Sequence, residues 1–163
     1  LTDINIIIFA SDKQIPILFD NVKAEFKRLY TIDVGIASPT NNDVYVNHIA
    51  LLRFLKGNAR KFNNIKNSGR SIVKMKYRKN LKEGNLHKHQ KEVQMLSVFV
   101  QYWSNIGDIV LDLFAGSGSI AYACSQVKRN SINCDIDELN CQTIIDRFKA
   151  NYTNVIVEKL NQK

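Results

Sequence analysis

The residues best suited to chemistry form one short run, Asp112 to Gly118 (DLFAGSG). A Gly-rich turn between an apolar strand and a helix lets a ligand approach the backbone closely, at the sheet end where α/β folds bind cofactors. Gly116-x-Gly118-x-x-Ala121 fits a dinucleotide fingerprint, and Asp135 follows Gly116 by nineteen residues, where an acid can hold ribose hydroxyls. A pyrophosphate cradle usually follows a wholly apolar strand end, whereas Asp112 and the bulky Phe114 precede these glycines. A carboxylate in the turn suits a cationic or amine-bearing ligand better. S-adenosylmethionine carries both a sulfonium and an ammonium group.

The surrounding pattern supplies the elements such a turn needs. From Lys91 to Ser104, Val93, Leu96, Val100 and Trp103 form one stripe and Met95, Phe99 and Tyr102 a second, which predicts a helix buried on two sides. Ile109–Leu113 reads as a strand, 114–119 as a turn, Ile120–Lys128 as a helix and Ser131–Ile136 as a strand. Glu138–Ala150 reads as a helix with Cys141, Ile144, Ile145 and Phe148 facing in, and Asn154–Val157 as a last short strand. Asp137 starts the helix at Glu138–Ala150 rather than touching ligand. Strand and helix alternate with short connections, as in a parallel sheet with helical crossovers.

The first half is less regular. Ile4–Ala10 (INIIIFA) predicts a strand covered on both faces in a parallel sheet. Leu18, Val22, Phe26 and Leu29 recur at helical spacing and predict an amphipathic helix over Ile17–Leu29. Gly35, Pro39 and the run Asn41-Asn42-Asp43 make 31–47 a strand, loop and turn, and His48–Leu55 is a further strand. Val73, Met75 and Tyr77 alternate with Lys74, Lys76 and Arg78, which places three cations on one face of a strand.

At 163 residues, 45% apolar and 23% charged, the chain has the length of one ordinary globular domain. Its longest purely apolar run is far too short to cross a bilayer, and no basic-then-apolar leader opens it, so a soluble cytosolic protein is expected. Cys124, Cys134 and Cys141 form no C-x-x-C pair and read as reduced, structural residues. His87 and His89 have no clustered partners, so no metal site is expected. The net charge of +8 is localised: residues 56–91 hold twelve Lys or Arg against the single acid Glu83, a net +11 that leaves −3 elsewhere. Charge concentrated in this way suits a polyanion, with salt-sensitive binding. A solvated loop is the alternative.

The run NIGDIVLDLFAGSGS, preceded by HKHQKEVQML and followed by SINCDID, resembles the cofactor-binding half of the permuted amino-methyltransferases that act on adenine N6 or cytosine N4 of DNA. That family has a D-x-F-x-G-x-G turn, an acidic strand end after it and H-P-x-Q-K-P before it. His87, Gln90 and Lys91 match the preceding motif, while Lys88 and Glu92 replace its prolines. NIIIFAS and NHIALLRFLKG resemble earlier segments of the family. The resemblance implies a Rossmann-like α/β methyltransferase sheet with flanking helices and S-adenosylmethionine as cofactor. Asp112, Phe114, Ala115, Gly116 and Gly118 would line its methionine and ribose side, Asp135 would accept from the ribose, and Gln90 and Lys91 would lie near the methionine end. It also implies double-stranded DNA as partner, contacted by Arg70, Lys74, Lys76, Arg78, Lys79 and His87. The domain would divide into a substrate-side part (1–55), a basic DNA-contact segment (56–91) and a cofactor half (92–163).

One expected feature is missing. Methylating an exocyclic amine needs acceptors that orient the NH₂ and an aromatic ring to stack the flipped base. In the family a D/N/S-P-P-Y/F/W motif does this, yet Pro16 and Pro39 here are isolated. No catalytic residue is therefore assigned, one central strand of the sheet is expected to be lacking, and an upstream segment or second subunit is expected to carry the motif. Two alternatives stand beside this: a non-catalytic DNA-binding partner subunit or degenerate relic that keeps the fold, and a nucleotide-dependent oxidoreductase using G-x-G-x-x-A.

Overall fold

The computed structural model describes residues 3–38, 46–59, 62–63, 72–74, 91–151 and 156. The chain falls into two compact units, Leu1–Lys79 and Asn80–Lys163.

The first unit holds a four-stranded sheet in the order β1-β3-β2-β4, built from β1 (Ile4–Ala10), β2 (Glu25–Ser38), β3 (Val46–Lys56) and β4 (Ile72–Lys74). Strand β3 lies antiparallel to both β1 and β2, and β4 runs parallel to β2. The expected parallel setting of β1 is thus corrected: its described neighbour is antiparallel, and most of its residues keep partial exposure. Its long apolar run arises because Ile6 and Ile8 pack with Ala10, Leu52 and Phe54 beneath α1 (Ile15–Asn21), whose Ile15 and Leu18 close the cluster.

The helix expected over Ile17–Leu29 ends at Asn21, and Glu25–Leu29 instead opens β2. The apparent helical spacing has a physical origin. A register shift between Phe26 and Arg28 breaks the strict alternation of the strand, so Phe26 and Leu29 fall three apart while each still pairs with β3. Phe26 sits edge-on to Phe19 and Phe54, which fixes the strand against the helix.

The second unit follows expectation closely. Helix α2 (Val93–Trp103) buries Met95, Leu96, Phe99, Val100, Tyr102 and Trp103, the two anticipated stripes except Val93, which is partly buried. Strands β5 (Ile109–Asp112) and β6 (Asn130–Asn133) pair in parallel, joined by α3 (Ser119–Gln126) and followed by α4 (Glu138–Asn151). Among the described residues β5 has one neighbour, β6, and Ile109, Leu111 and Ile132 are exposed. The proposed strand at 154–157 lies outside the described residues except Ile156, which is exposed and in no strand. No helix among them is long and apolar enough to cross a membrane.

Candidate cofactor site

The turn after β5 is built by backbone bonds between neighbouring strand ends. Cys134 N–H donates to the Asp112 carbonyl at 2.8 Å, and Ala115 N–H donates to the Cys134 carbonyl at 3.0 Å. The chain then reverses through Gly116 (φ +51°) and Gly118 (φ +77°), both left-handed. Side chains rarely accept that conformation, which is why the turn needs glycine there. Gly118 is also the N-cap of α3. Asp112 is therefore not the helix cap; its carboxylate accepts from Phe114 N–H at 3.2 Å, inside the turn.

Electrostatics single out Asp112. Burial pushes its carboxyl above the ordinary range, and Asp135 adds to the rise, while the Phe114 N–H and the Lys91 ammonium oppose it. Burial lowers Lys91 in turn, with Asp112 pulling the other way. A half-buried carboxylate whose ionisation is costly is one that an added cation would stabilise.

Asp135 is tied to the same turn. One carboxylate oxygen accepts from Gly116 N–H at 2.8 Å; the other accepts from Asp137 N–H at 3.0 Å and from the Asn140 side-chain amide at 3.0 Å. Asp137 in turn accepts from Leu139 N–H at 2.9 Å and opens α4, as expected. Beside these carboxylates Phe114 is 90% exposed and Ile136 fully exposed, so apolar surface is open to a ligand.

The structure thus brings together Lys91, Asp112, Phe114, Ala115, Gly116, Gly118 and Asp135 within the second unit. Ser117 is a buried turn residue, and Ser119 is the buried first residue of α3. Gln90, Arg70, Lys76, Arg78, Lys79 and His87 lie outside the described residues, as do His89 and the side chain of Lys74, whose backbone ends β4. No metal-binding cluster occurs among the described residues. Of the cysteines, Cys124 is buried, but Cys134 is exposed at the end of β6 and so is not a core residue. Sequence pattern missed two participants on α4. Asn140 looked like an ordinary polar helix residue, and Arg147, 5% exposed, broke the apolar stripe that would have marked it as inward-facing.

A parallel β5–β6 pair, a glycine turn and an acid at the second strand end make a Rossmann-like α/β cofactor site. The DNA methylase family, comprising N6 and N4 amino-methyltransferases, matches residues 5–146, and the chain belongs to it. The methyl donor of that family is S-adenosylmethionine, and the oxidoreductase alternative falls with the family match. The type II methyltransferase M.MjaII of Methanocaldococcus jannaschii is 40% identical over 48 residues, 29% of this chain and 9% of that protein. M.EcaI of Enterobacter cloacae is 37% identical over 59 residues, 36% of this chain and 13% of that protein. These matched stretches are thus a small part of the curated relatives. Among solved structures, the M1.HpyAVI–SAM complex superposes with a TM-score of 0.77 at 24% identity, covering 91% of this chain and 76% of that one. The cytosine-N4-specific PvuII DNA methyltransferase gives 0.70 at 12% identity, covering 88% and 57%. These likenesses show a common fold.

Proposed function

We propose that the chain is the cofactor- and DNA-binding part of an adenine-N6 DNA methyltransferase. The observation that carries this is the pair of carboxylates, Asp112 and Asp135, held at adjoining strand ends around a left-handed glycine turn. S-adenosylmethionine supplies the methyl group for direct transfer to a flipped-out base. Asp112 and Lys91 face its charged methionine end, Asp135 its ribose hydroxyls, and Ile136 and Phe114 offer apolar surface to its flat parts. Residues 56–91 hold double-stranded DNA, with phosphate contacts setting register. Cytosine N4 is the second candidate target, since an N4-specific enzyme shares the fold.

The acceptors and aromatic ring that orient the target amine come from a polypeptide segment outside these 163 residues, which pairs along β5. Two facts support this: the sequence has no Pro-Pro, and β5 has one neighbour among the described residues, beside exposed Ile109 and Leu111.

Calorimetric titration of S-adenosylmethionine into the chain tests the proposal. Binding is expected, and Asp135→Ala should weaken it by about 1–3 kcal/mol, the scale of hydrogen bonds to a charged acceptor. DNA affinity should fall with salt, and replacing Lys74, Lys76 and Arg78 with Ala should flatten that slope. Methyl transfer should appear on adding the segment with the missing motif. Absence of cofactor binding sinks the proposal; cofactor-independent DNA binding with no transfer under any complementation favours the non-catalytic alternative.

A further inference from the structure

Helix α4 presents one face to the cofactor turn through Asn140, Ile144 and Arg147, spaced four and three residues apart. Asn140 holds Asp135, Ile144 lies under Gly118, and Arg147 reaches the turn itself. The Arg147 Nη1–H donates to the Ser117 carbonyl at 2.9 Å, and the guanidinium carbon sits 3.8 Å from the centre of the Tyr122 ring. Tyr122, on α3, closes the loop by donating from its hydroxyl to the Arg147 carbonyl at 3.1 Å.

A guanidinium keeps its charge at any ordinary pH, so burying one is costly unless its donors and its face are both used. Here the ring takes the face and the Ser117 carbonyl takes a donor. That carbonyl belongs to the peptide joining Ser117 to Gly118, whose orientation sets the left-handed φ of +77° at Gly118. Packing does not require the charge: an unbranched apolar side chain would fill the same path over Tyr122, yet would leave the carbonyl of buried Ser117 without this donor.

We propose that Arg147 is a positioning residue for the cofactor turn, fixing the Ser117–Gly118 peptide in its binding conformation from the inward face of α4. This rests on reading that turn as the S-adenosylmethionine site.

The test titrates S-adenosylmethionine into the full chain and its variants, with thermal melting measured in parallel. Arg147→Met should lose affinity by about tenfold, as expected for one charge-assisted hydrogen bond that preorganises the site. Arg147→Lys, which keeps the charge and one possible donor, should fall between Met and wild type. Phe99→Leu lowers the stability of the same unit in the core of α2, where Phe99 packs with Tyr102 and Trp103, and should bind as wild type does. If Arg147→Met does not fold, Arg147→Lys compared with Phe99→Leu at matched melting temperature decides the matter. Wild-type affinity in the folded Arg147 variants overturns the proposal. So does a loss that follows melting temperature on the same line as Phe99→Leu. Failure of the wild-type chain to bind would instead overturn the cofactor site itself.

Discussion

Gly118→Ala probes the site through two separable penalties. The residue has φ +77°, and placing an L side chain there costs about 1–2 kcal/mol. A Cβ at this position would also stand 2.8 Å from Ile144 Cγ1, 3.2 Å from Cγ2 and 3.4 Å from Cβ. Ile144 is buried on a helix, where a β-branched side chain has essentially one χ1 rotamer, so it cannot swing aside. Overpacking of this kind costs about 1–3 kcal/mol, which makes the full effect about 2–5 kcal/mol. The single tryptophan, Trp103, is buried in the same unit and reports its urea unfolding by fluorescence. In an Ile144→Ala background the two closest carbons are gone, and Gly118→Ala should cost only the conformational part, about 1–2 kcal/mol. Equal cost in both backgrounds would refute the contact with Ile144. A cost below about 0.5 kcal/mol in the wild-type background would refute the strained turn as well.

Three further outcomes follow from two titrating groups, Asp112 and Cys124. Because burial raises the Asp112 carboxyl, cofactor affinity should decline as pH falls through that raised value, starting above the normal carboxylate range. Asp112→Asn should bind more weakly at neutral pH and lose this dependence; an unchanged pH profile would remove Asp112 from the site. The sign for stability is opposite: a raised folded-state pKa gives stability present below the unfolded value and lost as pH rises through the folded one. Asp112→Asn should therefore unfold at higher urea than wild type at neutral pH. Burial also pushes the Cys124 thiol up to about 12, with Asp112 adding to the rise and Arg129 opposing it. Iodoacetamide on the native protein at mildly alkaline pH should label exposed Cys134 and leave Cys124 unmodified until denaturant is added; mass spectrometry of native Cys124 adducts would contradict this.

The second unit was largely legible because its apolar periodicities agree with its caps and turns. The stripes of α2 and the acid at Asp137 each pointed to the element that forms. In the first unit local pattern and final structure diverge. Phe26 and Leu29 imitate helix spacing because a bulge lies between them, and only pairing with β3, distant in sequence, reveals the strand. The same limit applies at the site. Asp112, Gly116, Gly118 and Asp135 stand out by type and spacing, but Arg147 acts on a carbonyl thirty residues away. A buried cation inside an amphipathic helix is indistinguishable in sequence from a solvated one until its ring and acceptor are in view.

Asp135 shows how a residue singled out by type can do more than its type implies. An acid at this strand end suggests a ribose acceptor, and an ionised carboxylate offers about four acceptor positions. Gly116 N–H, Asp137 N–H and the Asn140 amide already occupy it, so the carboxylate joins the glycine turn to the start of α4 before any ligand arrives. Ribose hydroxyls would then compete with or share donors that hold the turn in shape. On the proposed reading, removing the carboxylate releases the Gly116 peptide together with the sugar contact, and the turn loses part of the geometry that Ile144 and Arg147 maintain from the other side. Cofactor affinity would then be a property of the tied turn as much as of any one side chain facing the ligand.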